Sequence, residues 1–165
     1  LKYKAAYFSQ FENIWSQGDY AELTKNDGVI IYGRSDATLN PGGIRIGTAE
    51  IYRVVEEIDG VEESIAVSQN WDNDVRIILF VKLINNIKMS DNLSLLLSTA
   101  IKDKLSRRHV PAHIISVNDI PKTRSGKIAE LTVRDIINGE KPKNIDALAN
   151  PDCLSQYENI EQLNN

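Results

Sequence analysis

Val75-Arg76-Ile77-Ile78-Leu79-Phe80-Val81-Lys82-Leu83-Ile84 is the stretch on which the fold turns. Val75, Ile77, Leu79, Val81 and Leu83 are apolar, and Ile78, Phe80 and Ile84 add apolar side chains to the alternate set. Successive side chains of a strand point to opposite faces. A strand that is apolar on both faces needs cover on both, so this one is expected at the centre of a sheet. Residues 64–68 read as a second strand, joined to the first by the turn-formers Asn70-Trp71-Asp72-Asn73-Asp74. Residues 114–117 read as a third.

Helical periodicity surrounds these strands. Thr48 is placed to cap a helix over 48–59, with Glu50 in its first turn. Ile51, Val54, Val55 and Ile58 fall on one face of it, and Gly60 stops it. Ser90 caps a second helix carrying Leu93, Leu97, Ile101 and Leu105 at four-residue spacing, and Pro111 follows its end. A third helix is expected over 128–138, ending at Gly139. Leu39-Asn40-Pro41-Gly42-Gly43-Ile44-Arg45 places three turn-formers in a row and predicts a tight hairpin. The order hairpin, helix, strand, strand, helix, strand, helix argues for an α+β domain: a three-stranded sheet packed by helices.

Residues 1–32 differ from the rest. They hold seven of the eleven aromatics: Tyr3, Tyr7, Phe8, Phe11, Trp15, Tyr20 and Tyr32. So short a segment cannot enclose side chains of that size, so it reads as the edge of another core. A short strand bracketed by Gly28 and Gly33 ends it, and the domain boundary is expected at Gly33-Arg34-Ser35-Asp36. The chain thus divides into 1–35, the edge of a large N-terminal domain; 36–140, a small domain; and 141–165, a polar tail with Pro142 and Pro151, expected to wrap the surface or to be partly mobile. Leu1 in first place and Met89 as the only methionine suggest a true start upstream.

The 165 residues carry a net charge of −4, which makes no global case for nucleic acid or an acidic membrane. No run approaches the roughly 18 apolar residues of a membrane helix. The lone Cys153 excludes an internal disulfide and suits a reducing compartment, so a cytoplasmic location is expected.

The strongest chemical signal is Ile120-Pro121-Lys122-Thr123-Arg124-Ser125-Gly126-Lys127. Short polar residues and a glycine leave the Lys127 ammonium uncovered, a compact point charge suited to a phosphate or carboxylate oxygen. The glycine spacing of a P-loop is absent. On spacing alone, a solvated loop lysine remains the competing reading.

Read together, Gly18-Asp19, Gly33-Arg34-Ser35-Asp36, Gly43-Ile44-Arg45 and Ser125-Gly126-Lys127 resemble, in that order, the late motifs of the adenylate-forming superfamily. The resemblance spans nearly the whole chain. Arg45-Ile46-Gly47-Thr48-Ala49-Glu50-Ile51 looks like the short-chain acyl-CoA synthetases, although Asn40 stands where many relatives carry lysine. Gly42-Gly43-Ile44-Arg45, Ala129-Glu130-Leu131 and Ala147-Leu148-Ala149-Asn150-Pro151 resemble the acetoacetate–CoA ligases more than the acetyl–CoA ligases.

That resemblance implies a two-step ligase. A carboxylic acid reacts with ATP to give acyl-AMP, and CoA then takes the acyl group, with a small domain swinging between the steps. Lys127 matches the catalytic lysine of the first step. Asp19, Arg34 and Arg45 match nucleotide contacts, Asp36 the hinge, Gly43 the position lining the pantetheine tunnel, and Lys102 a basic residue near CoA. ATP, CoA and Mg2+ are the implied cofactors, bound mainly through the large N-terminal domain, which is the implied partner beside the small acid. No residue here is assigned as a metal ligand. Plainer readings stand beside these: a turn aspartate at Asp19, an ion-paired surface arginine at Arg34, a linker aspartate at Asp36, a turn glycine at Gly43. The basic run Lys102, Lys104, Arg107 and Arg108 equally suits a solvated helix end. His109 and His113 straddle Pro111 and read as structural, and Cys153 has no evident base. Two alternatives stay open: a ligase for acetate or propionate, and a docking module without chemistry of its own.

Overall fold

The computed structural model describes residues 2–84 and 87–164; Leu1 of the aromatic strip and Asn165 of the tail lie outside the described residues. In chain order come helix α1 (Lys2–Tyr7), strands β1 (Asp19–Leu23) and β2 (Val29–Arg34), helix α2 (Thr48–Val55), strands β3 (Val61–Trp71) and β4 (Asp74–Leu83), helix α3 (Asp91–Lys104), strand β5 (His113–Val117) and helix α4 (Glu130–Ile137). Short 3-10 turns occupy Pro41–Gly43 and Arg107–His109 and, in the tail, Ile145–Ala147, Pro151–Tyr157 and Glu161–Asn164.

The main sheet has the order β3-β4-β5, so the two-faced apolar strand is central, as its sequence requires. β3 and β4 pair antiparallel from Val61↔Leu83 to Trp71↔Asp74. Only Asp72 and Asn73 lie between them, both at positive φ, the conformation a two-residue turn needs to match the strand twist. β5 lies parallel to β4, from Ile78↔His113 to Lys82↔Val117. Parallel neighbours need a crossover, and α3 supplies it.

Each face of the sheet builds its own core. Ile77, Leu79 and Val81 join Ile51, Val54 and Val55 of α2 and Leu97 and Ile101 of α3. Ile78 and Phe80 join Ile65, Val67, Ile120 and Val133 with Tyr157 and Leu163 of the tail. The tail therefore does more than wrap the surface: Leu148, Leu154, Tyr157 and Leu163 are buried. The Phe80 and Tyr157 rings meet edge to face at 4.9 Å. Tyr157 also donates its hydroxyl proton to the Asp119 carbonyl at 2.9 Å.

Several boundaries differ from the sequence reading for identifiable reasons. Gly47, not Thr48, is the N-cap of α2. Its backbone N–H donates to the Glu50 carboxylate at 3.1 Å, while Thr48 is buried. The helix stops at Val55 rather than near Asp59; the next residue, Glu56, caps it with its N–H still on the Tyr52 carbonyl, while its side chain accepts from the N–H and the hydroxyl of Ser64, each at 2.9 Å. β3 runs well beyond 64–68 because its polar residues find partners. Glu63 pairs with Lys122, and Gln69 donates to the Leu163 carbonyl at 3.1 Å. The hairpin expected at 39–45 is present as two bonds between Leu39 and Ile46 across the Pro41–Gly43 turn.

α1 and β1 were not expected from pattern. β1 pairs antiparallel with β2 as a separate two-stranded sheet. The aromatic strip clusters on itself, with the Tyr7 and Trp15 rings stacked at 4.4 Å. It remains open to solvent: Leu23 is 73% and Val29 63% exposed, beside exposed Tyr3, Phe11, Ile14, Trp15 and Ile31. An apolar surface of this extent calls for a partner.

Truncating Tyr157 removes a ring from one core together with its hydroxyl bond, so Tyr157→Ala is expected to cost about 3–5 kcal/mol of stability. Tyr157→Phe, which loses the bond alone, should cost about 0.5–1.5 kcal/mol. Urea denaturation of the three proteins measures both. Two variants of equal stability would mean that the tail does not belong to the core.

Candidate functional site

The segment joining β2 to α2 carries the proposed hinge. Register in the small sheet sets Asp19 opposite Arg34. The Arg34 guanidinium lies over Gly18, which sits at φ +82°, in the left-handed region that favours glycine. Arg34 donates through Nη1 to the Gln17 carbonyl at 2.8 Å, and its Nε and Nη2 form a fork on the Asp36 carboxylate, each at 3.2 Å. Asp19 stands farther off, at 3.9 Å. The Asp36 bonds raise the Arg34 pKa further and keep it charged.

α4 grips the same segment. Arg134 donates to the Asp36 carbonyl at 3.2 Å and pairs with the largely buried Asp135 at 2.9 Å. Glu130, in the first turn of α4, accepts from the Tyr52 hydroxyl at 2.6 Å, and that hydroxyl in turn accepts from the Ala66 N–H. Burial lifts the Glu130 carboxyl above the usual range against the pull of the Tyr52 and Thr48 hydrogen bonds, with Asp36 nearby adding to the lift and Arg34 opposing it. Burial also pushes the Tyr52 phenol well up. Arg134 escaped the sequence reading because it meets Asp36 across 98 residues of chain, and Glu130, read only as part of a family-like stretch, finds Tyr52 across 78.

Lys127 closes a tight loop. Thr123 N–H donates to the Lys127 carbonyl at 2.8 Å, Gly126 N–H to the Thr123 carbonyl at 2.8 Å, and Lys127 N–H to the Thr123 hydroxyl at 3.1 Å. The side chain is exposed, and among the described residues no carboxylate pairs with its ammonium. The tail lies along this loop: Arg124 N–H donates to the Ala147 carbonyl and Ala149 N–H to the Lys122 carbonyl.

The Asp36 segment, α4, the lysine loop and the tail enclose an open cleft of about 410 Å³, lined among others by Arg34, Asp36, Lys127, Glu130, Arg134 and Lys143. The fold thus brings Lys127, Arg34 and Asp36 to one place, while Asp19 lies outside the lining, 3.9 Å from Arg34. Arg34 and Arg134 are committed to Asp36 and Asp135, which leaves Lys127 and Lys143 as cations without a carboxylate partner among the described residues. A cleft of this kind suits an anion such as a phosphate or carboxylate.

The other candidates lie elsewhere. Gly43 sits on the turn before α2 at φ +77°, in the left-handed region that favours glycine, with open space where a Cβ would point. The turn is tied to the sheet by Gly42 N–H donating to Asp74 at 2.9 Å. Arg45 is exposed beyond it, and Lys102 is exposed on α3. Its neighbour Lys104 pairs with Glu57 at 2.6 Å. His109 bridges the end of α3 to α2, with Nδ1 2.8 Å from the Ser106 hydroxyl and Nε2 3.9 Å from Glu50, which is a structural arrangement. Burial pushes the Cys153 thiol up to about 11, so it stays protonated and unreactive at neutral pH. Among the described residues no group of three or more His, Cys, Asp or Glu could hold a metal ion, and no helix is long and apolar enough to cross a membrane.

No family model matches the chain. It is 52% identical over 162 residues to the acetoacetyl-coenzyme A synthetase of Rhizobium meliloti (strain 1021), covering 98% of this chain and 25% of that protein. The acetoacetyl-CoA synthetase of Streptomyces lividans superposes with a TM-score of 0.87 at 33% identity, over 99% of this chain and 24% of that one. A benzoate CoA ligase from Burkholderia xenovorans LB400 follows at a TM-score of 0.65 and 30% identity, over 73% of this chain and 24% of that one. The chain therefore spans about a quarter of the length of the proteins it matches, and it matches their C-terminal part.

Glu130 allows a test of the cleft's electrostatics. Its carboxyl titrates above the ordinary range in the fold, so between the unfolded and folded pKa values the native state holds more protons than the unfolded one. Stability must then fall as pH rises through that window. Glu130→Gln should remove this fall, as read from urea midpoints across the acid-to-neutral range. A mutant with an undiminished slope would place the titrating group elsewhere.

Proposed function

By sequence and fold the chain is a C-terminal domain of the acyl-CoA synthetase type, most like that of the acetoacetyl-CoA synthetases, and from that premise we propose that it works as the mobile small domain of an ATP-dependent acid–CoA ligase acting on acetoacetate. The observation that carries the reading is Lys127: an uncommitted ammonium at the tip of a braced loop, in one cleft with Arg34 and the Asp36 hinge. Residues 1–35 would be the edge of the large domain, and their open apolar surface supports that division. The phosphate-binding loop, the adenine pocket and the acid pocket belong to the large domain.

In the first half-reaction the acid's carboxylate oxygen attacks the α-phosphorus of ATP, and pyrophosphate leaves. Two anions approach each other as they react, so a cation placed in advance lowers the barrier. Lys127 supplies it. Asp19, acceptor-only when ionised, would take hydrogen bonds from the ribose hydroxyls, with Arg34 and Arg45 as further nucleotide contacts. Mg2+ would travel with the ATP phosphates and be held mainly by the large domain; this chain's described residues form no cage for it.

In the second half-reaction the CoA thiol attacks the acyl carbonyl and AMP leaves. The small domain must present another face, and residues around Asp36 absorb the backbone change. The Arg34–Asp36 fork is exposed, and exposed pairs are worth at most about 1 kcal/mol, so it steadies one pose without locking it. Gly43 would then line the pantetheine tunnel, where a side chain would obstruct a thin ligand sliding past backbone, and Lys102 would lie near CoA.

Two variants of the complete enzyme separate the half-reactions. Lys127→Ala should abolish acyl-AMP formation while sparing thioester formation from supplied acyl-AMP. Gly43→Leu should do the reverse. Parallel loss of both steps in both variants would count against a domain that uses different faces.

A further inference from the structure

We propose that Asn150, in the tail, is a positioning residue that aims Lys127. The inference rests on reading Lys127 as the lysine of acyl-AMP formation.

The Lys127 side chain is exposed and, among the described residues, no carboxylate holds its ammonium, so its aim depends on its loop's backbone. That loop is braced from the tail. The Asn150 side-chain oxygen accepts from the Lys122 N–H at 2.9 Å, and its amide nitrogen donates to the Asp119 carboxylate at 2.5 Å and to the Ile120 carbonyl at 2.9 Å. One amide thus spans the entry of the loop, residues 119–122. Backbone pairing continues from it: Ala149 N–H donates to the Lys122 carbonyl at 2.8 Å, and Arg124 N–H to the Ala147 carbonyl at 3.0 Å. Thr123, next in line, makes both bonds that close the turn on Lys127.

The brace reaches the sheet. Asp119 pairs with Lys82 of β4 at 3.4 Å, and the Lys122 ammonium pairs with Glu63 of β3. Burial opposes charge on Asp119, but the Asn150 and Lys82 hydrogen bonds outweigh it and hold the carboxyl below its usual range. Asn150 therefore links two ion pairs anchored in adjacent strands to the loop that carries the lysine. Half-buried and with all three contacts directed at that loop's entry, it couples the tail to the position of Lys127 and to nothing on the turn that holds Gly43.

The test uses the complete enzyme. Asn150→Ala removes all three bonds. A displacement of about 1 Å at a reacting group can cost on the order of 100-fold, so acyl-AMP formation should fall by roughly 10- to 100-fold, in kcat rather than in KM for ATP. Thioester formation from supplied acyl-AMP should be unchanged, because that step does not use Lys127. Leu163→Ala, which empties a buried tail position beside Gln69 and Arg76 near the β3–β4 turn, should lower the unfolding midpoint without this selective loss. Equal loss of both half-reactions in Asn150→Ala, or no loss in either, would overturn the assignment. A wild-type enzyme that forms no acyl-AMP would instead bring down the ligase reading itself, and this assignment with it, before any variant is measured.

Discussion

A strand that is apolar on both faces cannot rest with one face in water, and most of this molecule follows from that constraint on β4. Each face is worth covering at about 25 cal/mol per Å² of apolar surface removed from water. One side is met by α2 and α3, the other by α4 and the tail. The second cover has chemical consequences. Because Tyr157 and Leu163 must lie against Phe80 and Ile78, the tail is drawn back across the domain and passes beside the lysine loop. The core thereby delivers the backbone pairing that braces Lys127.

The site itself is built from short-range forces that leave motion possible. Asp36 is held by its side chain through Arg34 and by its carbonyl through Arg134, both from exposed or partly exposed groups. The bonds around Asn150, by contrast, lie partly buried, where hydrogen bonds are stronger and costlier to lose. The Asp36 segment is loosely latched and the lysine loop firmly set, which is the distribution that the proposed swinging domain with Lys127 as its catalytic group would need.

Much of this architecture was legible in the residues. The position of β4 followed from its two apolar faces, and the cap at Ser90 with buried Leu97 and Ile101 from spacing alone. The uncovered Lys127 was visible in the small polar residues before it. What escaped was whatever depends on distant partners. β1 carries almost no alternation because it is exposed nearly throughout, so nothing marked it as a strand, and its register with β2, which sets Asp19 against Arg34, was invisible. Glu63 and Gln69 lay outside the strand read at 64–68, and their place in it depends on Lys122 and the Leu163 carbonyl as partners. The tail's buried residues fall in 3-10 turns with no helical or strand period to betray them. Asn150 was noticed only as part of a family-like stretch, and its value lies in groups about thirty residues upstream.

The measurement that bears most directly on the whole account is acid-dependent AMP release by the complete enzyme in the presence of ATP and CoA, with acetoacetate, acetate, propionate and butyrate compared side by side. The account predicts turnover that is fastest with acetoacetate. AMP release that no acid stimulates would contradict it, and a clear preference for another acid would keep the mechanism while removing acetoacetate as the substrate.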